Sequence, residues 1–226
     1  MAKRRYGQYC ALARALDAVG ERWTLLVVRE LLLGPRRYTD LLDSLPGIGT
    51  NLLADRLKEL EQQGVVQRTK LPPPAPAAVY ELTEYGRELE PAVVALTRWG
   101  SRELRKPRRG EHFRPAWLGL AMLAAFQPDA ATGVTEKYEF RIGEEVLHAC
   151  VGDGELEVRQ GPSDDPDLTF ICDERTLRKI LSGRMTLTGA VAHDEARIAG
   201  ARAALVRCAE VFGLTERSHE PSAAAS

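Results

Sequence analysis

Apolar residues recur at helical spacing in four successive segments at the start of the chain. The first segment ends at Gly20, the second runs from Trp23 to Leu33 and is apolar on most faces, and the third stops at Pro46-Gly47. Thr50 is expected to cap the fourth segment, which ends at Gly64. The pattern therefore predicts four helices separated by short turns.

Two short β-like segments follow, at residues 65–69 and 79–82. The proline-rich segment 71–77 between them fits either a stiff hairpin tip or a linker or polyproline ligand, and its β-like flanks favour the hairpin tip. Thr83 is then expected to cap a long helix that carries one apolar side as far as Trp99. Two short helices joined by a tight turn and followed by a hairpin are the layout of a winged helix-turn-helix.

The second half of the chain has a different pattern. An apolar helix is expected at 116–126, and alternating or apolar strands at 137–142, 146–151, 155–159 and 168–172. Asp173 is expected to cap the next helix, and a last helix is expected to begin at Asp194 with Ile198 facing inward. The predicted fold class is α+β, with an N-terminal winged helix-turn-helix followed by a C-terminal α+β domain.

With 226 residues, the chain is long enough for two domains of ordinary size. The basic stretch Lys106–Gly110, which contains proline and glycine, separates the two patterned regions. We therefore expect a winged helix-turn-helix domain at 1–106, an α+β domain at 111–214 and a disordered tail at 215–226.

Charge is distributed unequally between the two regions. Residues 1–109 hold 19 Lys and Arg against 13 Asp and Glu, a net of +6, whereas residues 110–226 hold 12 against 19, a net of −7. A basic first half suits a surface that meets phosphate groups. The whole-chain charge of −1 conceals this difference.

Several classes of protein are not indicated by the sequence. No apolar run approaches the roughly 20 residues of a membrane span, and no signal peptide is visible, so we expect a cytoplasmic protein with no membrane partner. The four cysteines are far apart, which argues against a disulfide framework or a zinc site. No catalytic or nucleotide-binding motif is present. We therefore expect no enzymatic activity, no metal and no cofactor.

The predicted fourth helix presents polar residues opposite its leucines, and a helix of this kind fits the major groove of DNA. A solvated helix face is the alternative interpretation of the same pattern. Basic and aromatic residues before the third helix, together with the flanks of the hairpin, are suited to the phosphate backbone. The candidate DNA-binding residues are Arg36, Arg37, Tyr38, Thr50, Asn51, Ala54, Arg56, Lys58, Arg68 and Lys70.

The first half resembles the HxlR family of transcriptional regulators over about residues 8–100. The segments that carry the resemblance are CALARAL, VGERWTLLVVRELLLGPRRYTDL, LPGIGTNLLADRLKELEQQGVVQR and VYELTEYGRELEPAV. The resemblance implies a homodimer that binds an inverted-repeat operator in double-stranded DNA, and it favours repression. The implied dimer residues, which could equally pack inside one subunit, are Leu12, Leu16, Leu89, Val93, Leu96 and Trp99.

Cys10 lies where members of this family carry a cysteine, which in some of them senses electrophiles or oxidants. A thiol senses such compounds only if its thiolate is populated and exposed. Arg14, one helical turn later, favours the thiolate modestly. A redox-sensing regulator acting through Cys10 is therefore one alternative function, and a small packing residue is the other interpretation of this cysteine.

The second half resembles, less closely, the sterol-carrier-protein-like fold over about residues 115–214, through DLTFICDERTLRKILSGRMTLTGAVAHDEARIAGARAALVRCAEVFG. That fold encloses an apolar tunnel, so the resemblance implies an apolar small-molecule ligand. A carrier protein that retains a DNA-binding-like domain is a further alternative. The segment 191–194 departs from the pattern, because it lacks an apolar lining. The candidate pocket residues, each of which ordinary core packing also explains, are Trp117, Leu120, Phe140, Phe170, Leu177, Leu181, Met185 and Phe212.

Overall fold

The computed structural model describes residues 5–70, 77–104 and 110–215. The chain divides into two units, one up to Leu96 and one from Thr97 onward. The prolines of the predicted hairpin tip, most of the predicted linker at 106–110 and nearly all of the predicted tail lie outside the described residues. The domain limits expected from the sequence therefore stay predictions.

The first unit begins with four helices that correspond to the four predicted segments. Its elements are α1 (Ala11–Val19), α2 (Thr24–Leu32), α3 (Tyr38–Ser44), α4 (Thr50–Gln62), β1 (Val66–Lys70), β2 (Ala78–Leu82), α5 (Glu84–Arg87) and the larger part of α6 (Glu90–Gly100), a helix that crosses the boundary between the units. The strands β1 and β2 pair antiparallel, with Arg68 opposite Tyr80. The leucines of α3 and α4 and the valines of α2 and the strands form the core of this unit. The element order is that of a winged helix-turn-helix.

The structure corrects the predicted start of α4. Gly49 occupies the N-cap position, and Thr50 is the first residue of the helix rather than its cap. The side chain of Thr50 is exposed and caps nothing. Glycine is acceptable at an N-cap because a helix start needs a non-helical backbone there more than it needs a particular side chain.

The long helix predicted after Thr83 is also corrected. Thr83 does cap a helix, since its hydroxyl accepts a hydrogen bond from the Gly86 amide at 3.0 Å, but α5 ends at Arg87 and α6 begins at Glu90. Pro91 explains the interruption, because it has no N–H to donate to the carbonyl of Arg87 and its ring would clash with that carbonyl. The apolar side therefore belongs mainly to α6.

The second unit packs helices on one face of a five-stranded sheet. Its elements are α7 (Leu118–Ala125), β3 (Thr135–Ile142), β4 (Glu145–Gly152), β5 (Glu155–Gln160), β6 (Leu168–Cys172), α8 (Glu174–Leu181), α9 (Leu187–Ala192), β7 (Ala196–Gly200) and α10 (Arg202–Val211). The strand order is β5-β4-β3-β6-β7, and only the β3–β6 pair is parallel. Tyr138 packs edge-on against Phe212 with ring centroids 6.1 Å apart, and Phe140 lies opposite Phe170. The predicted α+β class is confirmed.

The last predicted helix is wrong at its start. Residues 196–200 form the edge strand β7, Ile198 pairs with Phe170, and the final helix α10 begins only at Arg202. Asp194 lies in a turn with φ of 58° instead of capping a helix. Alanine-rich segments favour helix locally, and only the hydrogen bonds offered by β6 make this segment a strand.

Glu139 does not follow the expected alternation of β3. Only 1% of this residue is exposed, although it lies on the polar side of the strand. One carboxylate oxygen accepts from the Ser163 amide at 2.8 Å and the other from Arg141 Nε at 2.7 Å. The chain between β5 and β6 crosses this face of the sheet, and it brings Ser163 over the carboxylate.

Among the described helices, none is both long and apolar enough to cross a membrane.

Candidate DNA-binding surface

The helices α3 and α4 form the helix-turn-helix, and a single side chain ties their starts together. Tyr38, the first residue of α3, donates its hydroxyl proton to the Thr50 carbonyl at 2.7 Å. The turn between the helices closes with the Ile48 amide donating to the Leu45 carbonyl at 3.1 Å. Leu41 and Leu45 are buried beneath the turn. Tyr38, a candidate for DNA contact, therefore also sets the spacing of the two helices.

Helix α4 has one buried side and one exposed side. Leu53, Leu57 and Leu60 are buried, as their helical spacing predicts. The candidate contact residues that are exposed on this helix are Thr50, Asn51, Ala54 and Lys58. Their side chains present hydroxyl, amide, methyl and ammonium groups, which between them can match the edges of bases or phosphate oxygens.

Arg56 does not join this exposed set, because only 13% of its side chain is exposed. Its guanidinium bonds to Glu59 at 2.6 Å within the helix and to Glu21 at 3.2 Å outside it. Its Nε also donates to the Arg22 carbonyl at 3.3 Å. Arg56 thus faces the turn between α1 and α2.

The two candidate arginines before α3 have different surroundings. Arg36 pairs with Tyr80 of β2 through two backbone hydrogen bonds of 2.9 and 2.7 Å, and its Nε donates to the Glu30 carbonyl at 3.4 Å. Arg37 is exposed at the N-cap of α3. Arg36 therefore joins the hairpin to the helices, while the Arg37 side chain is accessible to a phosphate group.

The hairpin of β1 and β2 carries the remaining basic candidates. Arg68 is exposed, and its guanidinium lies over the Tyr80 ring at 5.9 Å from the centroid. Lys70 is exposed at the end of β1. Of the predicted tip at residues 71–77, residues 71–76 lie outside the part of the chain that the structure describes.

The candidate dimer residues divide by exposure. Leu12 is 67% exposed and Trp99 is 70% exposed, and Leu16 and Leu96 are exposed as well. Leu89 is half-buried, while Val93 is only 5% exposed and packs inside its own subunit. Tyr6 and Tyr9, just before α1, are exposed as well and were not among the predicted residues. Their signal was weak, because no periodicity exists ahead of the helix.

The four cysteines lie in contrasting environments. Cys10 is exposed immediately before α1, and Cys150 is half-buried. Cys172 and Cys208 are buried, and burial raises the pKa of the Cys172 thiol to about 12. Of the four thiols, Cys10 is the most accessible to a reagent in solution.

The apolar interior of the second unit contains a cavity of only about 10 Å³. Five of the eight candidate pocket residues line it, namely Phe140, Phe170, Leu177, Leu181 and Phe212. The other three candidates, Trp117, Leu120 and Met185, do not. A space of this size holds about one water molecule.

Comparison with known proteins assigns the first half. Residues 18–108 match the family model described as HxlR-like helix-turn-helix. The uncharacterized HTH-type transcriptional regulator sll1512 of Synechocystis is 40% identical over 95 residues, which are 42% of this chain and 70% of the relative. The chain belongs to the HxlR-like helix-turn-helix family.

Other similar proteins align with about the same number of residues of this HxlR-like chain. The uncharacterized HTH-type transcriptional regulator Mb3122 of Mycobacterium bovis is 41% identical over 97 residues, which are 43% of this chain and 61% of the relative. A solved structure of the redox regulator HypR in its oxidized form is 32% identical and covers 41% of this chain and 96% of that chain, with a TM-score of 0.39. The family model ends at residue 108, so the assignment applies to the winged-helix half. The chain is a transcriptional regulator of the DNA-binding helix-turn-helix class.

Proposed function

We propose that this HxlR-like regulator is a repressor that binds an inverted-repeat operator as a homodimer, with α4 in the major groove. The exposed polar side of α4 carries the proposal. Asn51 has the amide that pairs with an adenine edge, and Lys58 supplies a positive charge for guanine or phosphate. The buried leucines on the opposite side attach this helix to the core, so its exposed residues are presented on a rigid element.

Phosphate contacts would come from the residues around α4. Arg37 is exposed at the start of α3, and Arg68 and Lys70 are exposed on β1. Contacts of this kind fix the register of a protein on the duplex, while base contacts supply specificity. The net charge of +6 in residues 1–109 supports the same orientation.

The homodimer is supported by large apolar side chains that are exposed in the single subunit. Leu12 and Leu16 of α1 and Leu96 and Trp99 of α6 belong to this set. An interface between identical copies is usually two-fold symmetric, and two-fold symmetry of the protein implies two half-sites of opposite orientation in the operator.

For the second half we retain a sterol-carrier-like ligand domain as the proposed role. The five candidate residues around the small cavity support an apolar site, and a ligand larger than water would require this cavity of about 10 Å³ to expand. A ligand that prefers one conformation would shift operator affinity by its differential binding. Native mass spectrometry of the purified protein tests this, and a carrier without regulatory function would bind ligand but no operator.

The main test is a selection of bound duplexes from a random-sequence pool, followed by titration of the enriched DNA. We expect Asn51→Ala and Lys58→Ala each to weaken operator binding about five- to hundredfold, the cost of one good base contact. Arg202→Ala, which removes an exposed arginine at the start of α10, is the matched control and should change affinity less than twofold. Unchanged affinity in both α4 variants would exclude this helix as the reading element.

Redox sensing through Cys10 is a second candidate function, favoured by the exposure of this thiol. A thiol in such a position is accessible to electrophiles. Cys10→Ser is expected to bind the operator like the wild type but to keep that binding after treatment with a quinone, which should release the wild-type protein. A Cys10→Ser protein that is released equally would assign the response to another residue. Cys150→Ser is the control for the half-buried thiol.

A further inference from the structure

The turn between α1 and α2 lies against α4 and against the turn that precedes α4. We name residues Glu21, Arg22 and Trp23 the corner. The Glu21 carboxylate and the Arg22 carbonyl both accept hydrogen bonds from the Arg56 guanidinium of α4, at 3.2 and 3.3 Å. These bonds join residues 35 and 34 positions apart in the sequence. The corner is therefore attached to the reading helix by directed polar contacts.

Trp23 connects the corner to the turn between α3 and α4. Its backbone is left-handed, with φ of 79° and ψ of −22°, which is rare for a bulky residue. Its ring lies close to Gly47, where a Cβ would be 3.7 Å from the Cη2 atom of Trp23. The Arg22 guanidinium lies over the same ring, 5.3 Å from its centroid. A strained backbone persists only where its surroundings hold it, and here those surroundings include the helix-turn-helix turn.

The leucines beneath α4 and the corner beside it constrain the helix differently. Apolar packing is not directional, so Leu53, Leu57 and Leu60 hold α4 on the core but permit small rotations. Hydrogen bonds to a planar guanidinium depend on direction, so Arg56 opposes rotation of α4 about its axis. Base readout needs such control, because a displacement of a fraction of an ångström spoils contacts to base edges.

We propose that the corner fixes the rotation of α4 on the protein, and that Arg56 is a positioning residue for operator specificity rather than a DNA contact. This inference rests on the proposed operator-binding function. Only 13% of the Arg56 side chain is exposed, and its donors already have three acceptors, two of them in the corner. The positive charge of Arg56 is therefore paired with Glu21 and Glu59 of the protein itself.

The proposal and simple electrostatics predict opposite changes in operator affinity when Glu21 is neutralised. Glu21 is an acidic residue, so its neutralisation relieves repulsion from phosphate and by itself strengthens binding to any DNA. If Glu21 positions α4 through Arg56, Glu21→Gln instead weakens operator binding while binding to random duplex stays equal or tightens. Arg56→Lys keeps the positive charge but lacks the fork that reaches two acceptors at once.

The experiment measures dissociation constants of the full chain for two duplexes, the enriched operator and a scrambled sequence of equal length, at several salt concentrations. We expect the scrambled-to-operator ratio of dissociation constants to fall about tenfold in Arg56→Lys, the size of a typical coupling in a polar network. The fall should be about twofold to fivefold in Glu21→Gln, because the Glu21 side chain is 55% exposed. The salt dependence of scrambled-duplex binding should stay unchanged in Arg56→Lys. Glu61→Gln, which removes an exposed carboxylate from α4 itself, is the matched control and should leave the ratio unchanged.

Three other outcomes would overturn the inference, and they are distinguishable. If the wild type enriches an operator but both variants keep the wild-type ratio, the positioning role is wrong while the proposed function stands. If Arg56→Ala weakens both duplexes equally and lowers the salt slope by about 0.9, Arg56 contacts phosphate directly. A wild-type protein that enriches no sequence would overturn the function and this inference together. Thermal unfolding of each variant confirms that the fold is intact.

Discussion

The two halves of this protein differ in how many large apolar side chains they leave exposed. Among the described residues up to position 104, nine large hydrophobic residues are exposed, including Tyr9, Leu12, Leu96 and Trp99, whereas from position 110 onward only Ile171 and Val206 are. Buried polar groups with partners occur in both halves, for example Glu30 with Arg29 in the first and Glu139 with Arg141 in the second. The contrast suggests that the first half is completed by another molecule and that the second half is completed by its own chain.

The two halves also differ in what their polar contacts do. In the second half, Glu136 accepts a hydrogen bond from Tyr138 within β3 and another from Arg207, and the second bond joins β3 to α10. In the first half, the bonds of Arg56 and Tyr38 hold a helix whose other side is left exposed. These polar contacts stabilise the core in the second half, whereas in the first half they hold the exposed helix α4 in place.

The largest effect is expected from Phe170→Ala. Phe170 is fully buried, with its ring centroid 6.2 Å from that of Phe140. Truncation of a buried phenylalanine costs about 3–5 kcal/mol, which should destabilise the second half selectively. Thermal unfolding monitored by circular dichroism should show this loss, while operator binding below the transition stays within about twofold of the wild type. A parallel loss of operator binding would show that the halves are not independent.

A smaller effect is expected from Trp99→Ala on assembly. If Trp99 is central in the dimer interface, its loss should weaken dimerisation by about 2 kcal/mol, or roughly thirtyfold in dissociation constant. Sedimentation equilibrium measures this constant directly. Val206→Ala removes an exposed apolar side chain from the second half and should leave dimerisation unchanged. Equal weakening by both substitutions would contradict the contrast between the halves.

The third prediction concerns Glu139 and acid stability. Burial alone would raise the pKa of this carboxyl, but the hydrogen bond from Ser163 and the contact with Arg141 outweigh burial and lower the pKa from its ordinary value. The ionised form therefore stabilises the fold above the pKa of the unfolded chain, and this contribution is lost as pH falls through the lower folded-state pKa. Glu139→Gln should cost about 1–3 kcal/mol at pH 7, as for a hydrogen bond to a buried charge.

As the pH falls from about 5 to about 3, Glu139→Gln should lose less stability than the wild type. The ordinary pKa of a carboxyl group sets this range. Urea unfolding at several pH values measures this difference. Glu157→Gln is the control, because its ion pair with Arg159 is exposed and surface pairs contribute only a few tenths of a kcal/mol. Equal effects of the two substitutions would mean that burial of Glu139 adds nothing.

Much of the first half could be predicted from the sequence, because its signals are local. Helical spacing of leucines placed α4 on the core, and glycine or proline marked most helix ends. The interruption before α6 also had a local signal in Pro91. The HxlR resemblance, which is confirmed by the family comparison, rests on motifs that are continuous in the sequence.

The strand β7 and the burial of Glu139 could not be predicted in this way. Residues 196–200 have no strand pattern of their own, and they extend because β6 offers hydrogen-bond partners at the sheet edge. Glu139 lies on the polar side of its strand, and only the crossing of the chain from β5 to β6 covers it. In both cases the deciding partner is distant in sequence.

The sequence by itself therefore determined the order of elements in the winged helix, the polar side of α4 and the family. Tertiary structure alone decided that Arg56 faces the corner, that Val93 is buried while Trp99 is exposed, and that the apolar interior of the second half is nearly filled. The physical reason is the range of the interactions. Periodicity and caps act within a few residues, whereas directed polar contacts and packing volume depend on which segments the fold brings together.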